Sequence, residues 1–165
     1  MDTPTDPLIE RDRKYAWDYF TLHSSQRIAT FNFFVTLATA VLAGVGVALT
    51  GTVVVPALAI VLGLALALLA FVFWKLDQRN KMLIKNAEEA LKEIERRLEA
   101  DMGGPRVFSL FTRDDEDVHE LRRYRGRKAW RKYYSYSNSF NTVFLTFGIF
   151  GLVGAALGVI RVIVA

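Results

Sequence analysis

The residues best suited to binding chemistry lie in one short basic and aromatic segment, residues 122–134. It holds seven Lys or Arg residues and four aromatic residues in thirteen positions. Lysine and arginine bind phosphate groups, and aromatic rings stack on nucleobases. The segment therefore predicts a site for a nucleotide or an oligonucleotide, with these candidate residues: Arg122, Arg123, Arg125, Arg127, Lys128 and Arg131. Two other uses stay open, binding to anionic lipid at a membrane surface and salt bridges to the acidic faces of neighbouring helices.

Patterns typical of catalysis or of metal binding are weak by comparison. The two histidines, His23 and His119, have no Glu or His three or four residues later, where a helical metal site would place one. The chain has no cysteine, which excludes a disulfide framework, a zinc cluster and a thiol nucleophile. We expect surface or packing roles for both histidines, and a protein that is not an enzyme and that uses no metal or other cofactor.

The candidate residues must be positioned by three long apolar runs, residues 28–50, 53–74 and 140–165. Each run has about 20 residues with almost no charge, which is the length needed to cross a hydrocarbon core of about 30 Å. We predict an all-α membrane protein with three transmembrane helices and long cytoplasmic helical extensions that form a coiled bundle. Its parts would be an N-terminal cytoplasmic helix (1–27), a transmembrane helical hairpin (28–74), a cytoplasmic helical hairpin (75–138) and a third transmembrane helix (139–165).

The distribution of basic residues predicts the orientation. Four Lys or Arg residues precede the first run, sixteen lie between Lys75 and Lys132, and only Arg161 follows. Because basic residues are enriched on the cytoplasmic side, we expect the N-terminus and residues 75–138 to be cytoplasmic and the C-terminus to lie outside.

Local signals predict where the helices begin and end. Asp6 and Pro7 form a favourable helix start, and Gly103, Gly104 and Pro105 form a strong stop. We expect the second helix to run from about residue 53 to 102, a new helix to begin near Thr112 as its cap, and residues 135–139 to form a kink. Apolar residues at heptad spacing predict a packing seam on the second helix: Ile84, Ala87, Leu91, Ile94 and Leu98.

Uncharged polar residues within the apolar runs point to a pore. Asn32, Thr36 and Thr39 lie in the first run, and Asn141, Thr142 and Thr146 lie at a similar depth in the third. A buried amide in hydrocarbon needs a partner, so we expect both asparagines to face other helices or a pore. The pore-lining candidates are Asn32, Thr36 and Thr39. No ionisable residue lies in the middle of a run, which argues against a proton-coupled transporter or a pump.

Small residues at four-residue spacing predict close helix packing. The candidates are Gly44 in the first run and Gly151, Gly154 and Gly158 in the third. Such residues let helix backbones approach closely in lipid. The spacing fits packing within one protomer and packing between protomers equally well.

Two segments resemble a known family. Residues 15–34, which enter the first run, and residues 74–91, which leave the second, are similar to the SLATT-like bacterial effectors, which have paired membrane helices and a cytoplasmic helical tail. The resemblance covers roughly residues 8–100, and the third run departs from the simplest two-span members. It implies a pore-forming effector of antiphage defence in the bacterial inner membrane, encoded beside a nucleotidyltransferase or a nucleotide sensor.

The first functional hypothesis is a homo-oligomeric ion channel, a tetramer being one arrangement considered, that a nucleotide or oligonucleotide gates through the cytoplasmic bundle. Membrane lipids and an operon-encoded nucleotidyltransferase would be its further partners. The second hypothesis is a membrane-anchored scaffold that recruits another protein through the heptad seam. A third is lipid sensing through the basic segment.

Overall fold

The computed structural model describes residues 7–51, 53–102, 110–112 and 136–164. Of these residues 97% are helical and none is in a strand. The long helices are α1 (Pro7–Thr50), α2 (Pro56–Met102) and α3 (Tyr136–Val164). All three are long and apolar enough to cross a membrane. The predicted all-α class and the three membrane-spanning helices are confirmed.

The turn between α1 and α2 explains where the hairpin reverses. The Gly51 N–H donates to the Val47 carbonyl at 2.8 Å, and a Cβ on Gly51 would lie 2.6 Å from that same oxygen, so glycine suits this helix end. The prediction that α2 begins near residue 53 is wrong by three residues. Proline disfavours helical geometry in the residue before it, and the Val55 N–H donates back to the Ala48 carbonyl at 3.0 Å.

One further boundary differs from the prediction. Residues 136–139, in the stretch where a kink was predicted, form the first turn of α3, and the kink itself stays a prediction. Thr112 lies inside a helical stretch that includes residues 110–112, so it is not the cap. The Glu95 carboxylate instead accepts from the Thr112 N–H at 3.1 Å, from the Thr112 hydroxyl at 2.9 Å and from the Phe111 N–H at 3.4 Å. By accepting hydrogen bonds from the Phe111 and Thr112 N–H groups, the Glu95 carboxylate acts as the helix cap that the Thr112 hydroxyl was expected to provide.

The described residues divide into two compact units. The span unit contains residues 27–51, 53–79 and 136–164, and the extension unit contains residues 7–26, 80–102 and 110–112. Both α1 and α2 contribute residues to each unit.

The core of the span unit is aromatic. The Phe31 and Phe140 rings stack with their centroids 3.9 Å apart, and the Phe34 ring lies 4.7 Å from Phe144 and 5.3 Å from Phe73. Phe34 is fully buried. These rings come from all three helices, so their packing fixes the helices of the span unit to one another.

The extension unit has its own packing. Phe111 contacts the Trp17 and Phe20 rings edge-on, at centroid distances of 6.3 and 5.6 Å. In the predicted heptad seam Ala87, Leu91 and Leu98 are buried. The seam is therefore covered within the chain at these positions.

Candidate functional site

One face of α1 in the span unit, which we call the α1 stripe, is the first candidate surface. It consists of seven residues whose spacing alternates between three and four: Ala29, Asn32, Thr36, Thr39, Ala43, Gly46 and Thr50. This spacing keeps them on one face of the helix. All seven are exposed in the isolated protomer, and each is small or polar. The three residues predicted to line a pore, Asn32, Thr36 and Thr39, all belong to the stripe.

The other two helices expose a different chemistry. Most of their outward positions in the spans carry large apolar side chains, such as Leu64 and Leu68 on α2 and Leu145 and Ile149 on α3, although α3 also exposes Thr142 and Thr146. Large apolar side chains are suited to contact with lipid chains, whereas small and polar ones are typical of helix contacts and of water-lined surfaces. The α1 stripe thus differs from the rest of the outer surface in its extent, because it carries small or polar residues from Ala29 to Thr50, whereas the exposed threonines of the α3 span, Thr142 and Thr146, lie near one end of that helix.

Hydrogen bonds within the stripe leave it compatible with water. The Thr36 hydroxyl donates to the Asn32 carbonyl at 3.0 Å, and the Thr50 hydroxyl donates to the Gly46 carbonyl at 2.9 Å. The Thr39 hydroxyl donates to the Val35 carbonyl at 2.8 Å. These hydroxyl oxygens keep acceptor capacity that faces outward. Among the described residues, the Asn32 side-chain amide has no hydrogen-bond partner.

A polar clamp joins the three helices at one end of the spans. The Arg27 guanidinium donates to both carboxylate oxygens of Asp77, at 2.6 and 3.1 Å, and lies 4.9 Å from the centroid of the Phe140 ring. The next residue of α2, Gln78, donates to the side-chain oxygen of Asn141 at 3.2 Å. The side chains of Arg27 and Asp77 are only 14% and 4% exposed, so the ion pair is largely shielded from water.

Sequence reasoning found one member of this clamp and missed the others. Asn141 was expected to meet another helix or a pore, and it lies against Gln78 of the same protomer. Neither Arg27 nor Asp77 was predicted to form this contact. Their spacing was the signal that could have identified them, because each is 25 positions from residue 52, which separates the first two apolar runs in the sequence.

The predicted packing glycines lie at helix contacts within the protomer. A Cβ on Gly151 would be 2.6 Å from the Gly63 carbonyl, and one on Gly158 would be 2.9 Å from the Pro56 carbonyl. A Cβ on Gly154 would meet Val45, and one on Gly44 would meet Leu62 at 3.1 Å. Gly63 was missed, although Ala59, Gly63 and Ala67 form the same four-residue spacing on α2.

The structure describes few contacts of the remaining predicted residues. All six basic candidates (Arg122, Arg123, Arg125, Arg127, Lys128 and Arg131) and His119 lie outside the described residues. His23 packs edge-on against Tyr19, with ring centroids 4.3 Å apart. Within the described ranges, no group of three or more His, Cys, Asp or Glu residues could hold a metal ion.

Comparison with known proteins supplies the context for these features. CD-NTase-associated protein 19 of Escherichia coli is 40% identical over 87 residues, which are 53% of this chain and 58% of that protein. The chain therefore spans little more than half the length of this relative. No solved structure is significantly similar. The resemblance to SLATT-like effectors is not confirmed by these comparisons. A family model matches residues 10–160, nearly the whole chain, and the protein therefore belongs to the octameric membrane protein family.

Proposed function

We propose that the protein is a non-enzymatic, homo-oligomeric membrane pore that opens in response to a nucleotide or oligonucleotide signal in bacterial defence. The α1 stripe carries this proposal, because it is an exposed, small and polar surface on a helix that is apolar enough to span a membrane. Copies of α1 arranged around a common axis would line a channel with rings of asparagine and threonine.

A pore explains the stripe better than lipid contact does. Asn32 has an amide without a hydrogen-bond partner among the described residues, and such a group is costly to place against hydrocarbon. Water in a channel would satisfy it. Since the stripe has no ionisable residue, the pore would not select ions by fixed charge, and its rings of small residues would set its width.

The family supports an assembly of many copies. Its description is of octameric membrane proteins, which favours eight protomers over the tetramer considered from the sequence. A ring of eight has a wider axis than a ring of four, and a wide axis is compatible with a water-filled channel.

The signal and the cellular setting rest on the relative and on the basic segment. The E. coli relative is named for its association with a CD-NTase, which agrees with the expected partnership with a nucleotidyltransferase. Residues 122–134 would bind the signal, with Arg122, Arg123, Arg125, Arg127, Lys128 and Arg131 on its phosphates. We place the protein in the bacterial inner membrane, with its N-terminus and residues 75–138 in the cytoplasm and its C-terminus outside.

The scaffold hypothesis receives less support. It requires the heptad seam of α2 to be available for a partner protein, yet Ala87, Leu91 and Leu98 are buried within the chain. Lipid sensing through the basic segment stays a second use of the same cations.

Cysteine accessibility tests the pore directly, because the chain has no cysteine of its own. Thr36→Cys and Thr39→Cys would be reconstituted in liposomes and treated with a charged thiol reagent that cannot cross lipid, in the presence of candidate cyclic nucleotides or oligonucleotides. We expect both variants to be labelled and their ion flux to be blocked.

Leu68→Cys is the matched control. Arg27 contacts Asp77 and Gly44 lies against Leu62, so Leu68 of α2 is at about the level of Thr36. Leu68 is exposed on a surface that we expect to face lipid, so the cysteine there should stay unlabelled. Equal labelling of all three variants, or liposomes that stay tight with every nucleotide, would contradict the proposed pore.

A further inference from the structure

A groove between α2 and α3 opens on the surface of the span unit. Its volume is about 510 Å³, which is in the range of small-molecule sites. Ala67, Ala70 and Gly148 are among its small lining residues, and Phe71, Trp74 and Leu152 are among its large ones. Almost all of the lining is apolar, and Asn141 is the polar residue that lines it.

The groove forms because α2 and α3 contact each other at two levels and carry small residues between those levels. A Cβ on Gly63 would lie 2.5 Å from the Gly151 carbonyl, so the helix backbones touch at that level. At the other level Gln78 donates to Asn141. Between these two contacts, a Cβ placed on Gly148 would lie 3.5 Å from the Cβ of Ala70, which is an ordinary van der Waals distance.

One end of the groove is positively charged. The Lys75 ammonium lies 4.8 Å from the Trp74 ring centroid and 5.7 Å from the Phe71 ring centroid, and both rings line the groove. Lys75 is exposed, so its charge is available to a ligand. Tryptophan and lysine at this boundary of the apolar run are typical of the headgroup level of a membrane. The groove therefore changes from apolar to cationic along its length.

We propose that this groove is a binding site for an anionic phospholipid. An acyl chain would lie against Ala67, Ala70 and Gly148, and the headgroup phosphate would pair with the Lys75 ammonium beside the Trp74 ring. The charge favours this occupant over a helix from a second copy, because an apolar helix would leave the cationic end of the groove without a counter-charge. The site does not depend on the α1 stripe or on the proposed pore.

Lipid retention tests the site in the intact protein. The chain would be reconstituted in equal amounts of phosphatidylglycerol and phosphatidylethanolamine, extracted in mild detergent, and its retained lipid measured by mass spectrometry. We expect phosphatidylglycerol to be enriched. One basic residue near a membrane surface contributes about fivefold in affinity, so Lys75→Gln should lower this enrichment about fivefold. Lys85→Gln removes the same charge from an exposed position further along α2 and should change nothing.

Gly148→Leu fills the groove and should abolish retention of either lipid. Equal retention by this variant, or no change with Lys75→Gln, would overturn the proposal. A second copy in the groove is the competing occupant. Photo-cross-linking from a benzophenone group attached to Leu152→Cys into another protomer at high yield would establish that occupant and would also overturn the lipid site.

Discussion

At the scale of single residues, the Arg27–Asp77 pair is a two-bond ion pair that is largely buried in the span unit. The two side chains join α1 to α2 through two charge-assisted hydrogen bonds, and Arg27 also faces the Phe140 ring of α3. Two bonds in a fixed geometry set both the distance and the rotation between helices. The pair is thus suited to fixing the register of all three helices at the end of the spans.

Removing one member of the pair should destabilise the protein strongly. Asp77→Ala leaves the Arg27 charge buried without its partner, and such a loss costs about 3–5 kcal/mol. The measurement is the midpoint of thermal unfolding in detergent. Glu89→Gln, which changes an exposed acid on the same helix, is the control and should have little effect.

The double variant Arg27→Met with Asp77→Leu separates the loss of a partner from the loss of the pair. Apolar replacement of a whole buried ion pair is often neutral, so the double variant should recover most of the stability that Asp77→Ala loses. Double and single variants of equally low stability would show that the pair itself holds the helices.

The sequence predicted only some of the residues that form the α1 stripe and the core. Asn32, Thr36 and Thr39 were predicted because polar side chains stand out in an apolar run. Ala29, Ala43 and Gly46 complete the same face, yet small apolar residues carry no signal until burial shows which face is covered. The aromatic core was missed for a related reason, since phenylalanines on three helices acquire partners only when the helices pack.

At the scale of secondary structure, helix positions followed closely from the sequence. Proline and glycine specified the start of α1, its end and the start of α2 to within three residues, because these residues act on the local backbone. The start of α3 was less certain, since serine and asparagine favour caps and turns yet remain compatible with a helix. Contacts between helices depend on relative rotation, which the glycine spacing alone left open.

The α2–α3 contact gives an element-level prediction. Gly151→Ala would place a Cβ 2.6 Å from the Gly63 carbonyl and 2.8 Å from the Ala67 amide nitrogen, so the two helices must separate. Overpacking of this kind costs about 1–3 kcal/mol. We expect a lower unfolding midpoint in detergent for Gly151→Ala.

Gly46→Ala provides the matched control, because a Cβ there would meet nothing within 4 Å. Alanine is favoured over glycine inside a helix by about 0.5–1 kcal/mol, so this variant should be as stable as the natural chain or slightly more stable. Similar losses from both substitutions would mean that the α2–α3 contact does not limit stability.

At the scale of the whole molecule, the isolated protomer exposes polar and apolar surfaces side by side, and assembly with further copies would separate the polar surface from lipid. One helix exposes a stripe of seven small and polar residues, while the exposed positions of its neighbours in the spans are mostly bulky and apolar. Membership in a family described as octameric supports an oligomer, and in the proposed pore the stripe would face its axis rather than lipid. The number of copies could not be read from one sequence, because stoichiometry depends on the angle between two surfaces of a protomer.

A charge introduced on the stripe should therefore be repeated in every protomer and form a ring around the axis of the pore. Thr39→Asp would place one carboxylate per protomer around the axis, and Thr39→Lys would place one ammonium in the same position. Rings of acidic residues favour cations and rings of basic residues favour anions. We expect the reversal potential of the open channel, measured in a planar bilayer under a salt gradient, to shift in opposite directions in the two variants. A complex mass near eight times the 18.7 kDa chain would show that the ring is intact. Structural damage would affect both variants alike, so shifts of the same sign, or no shift in complexes of the correct mass, would exclude Thr39 from the pore.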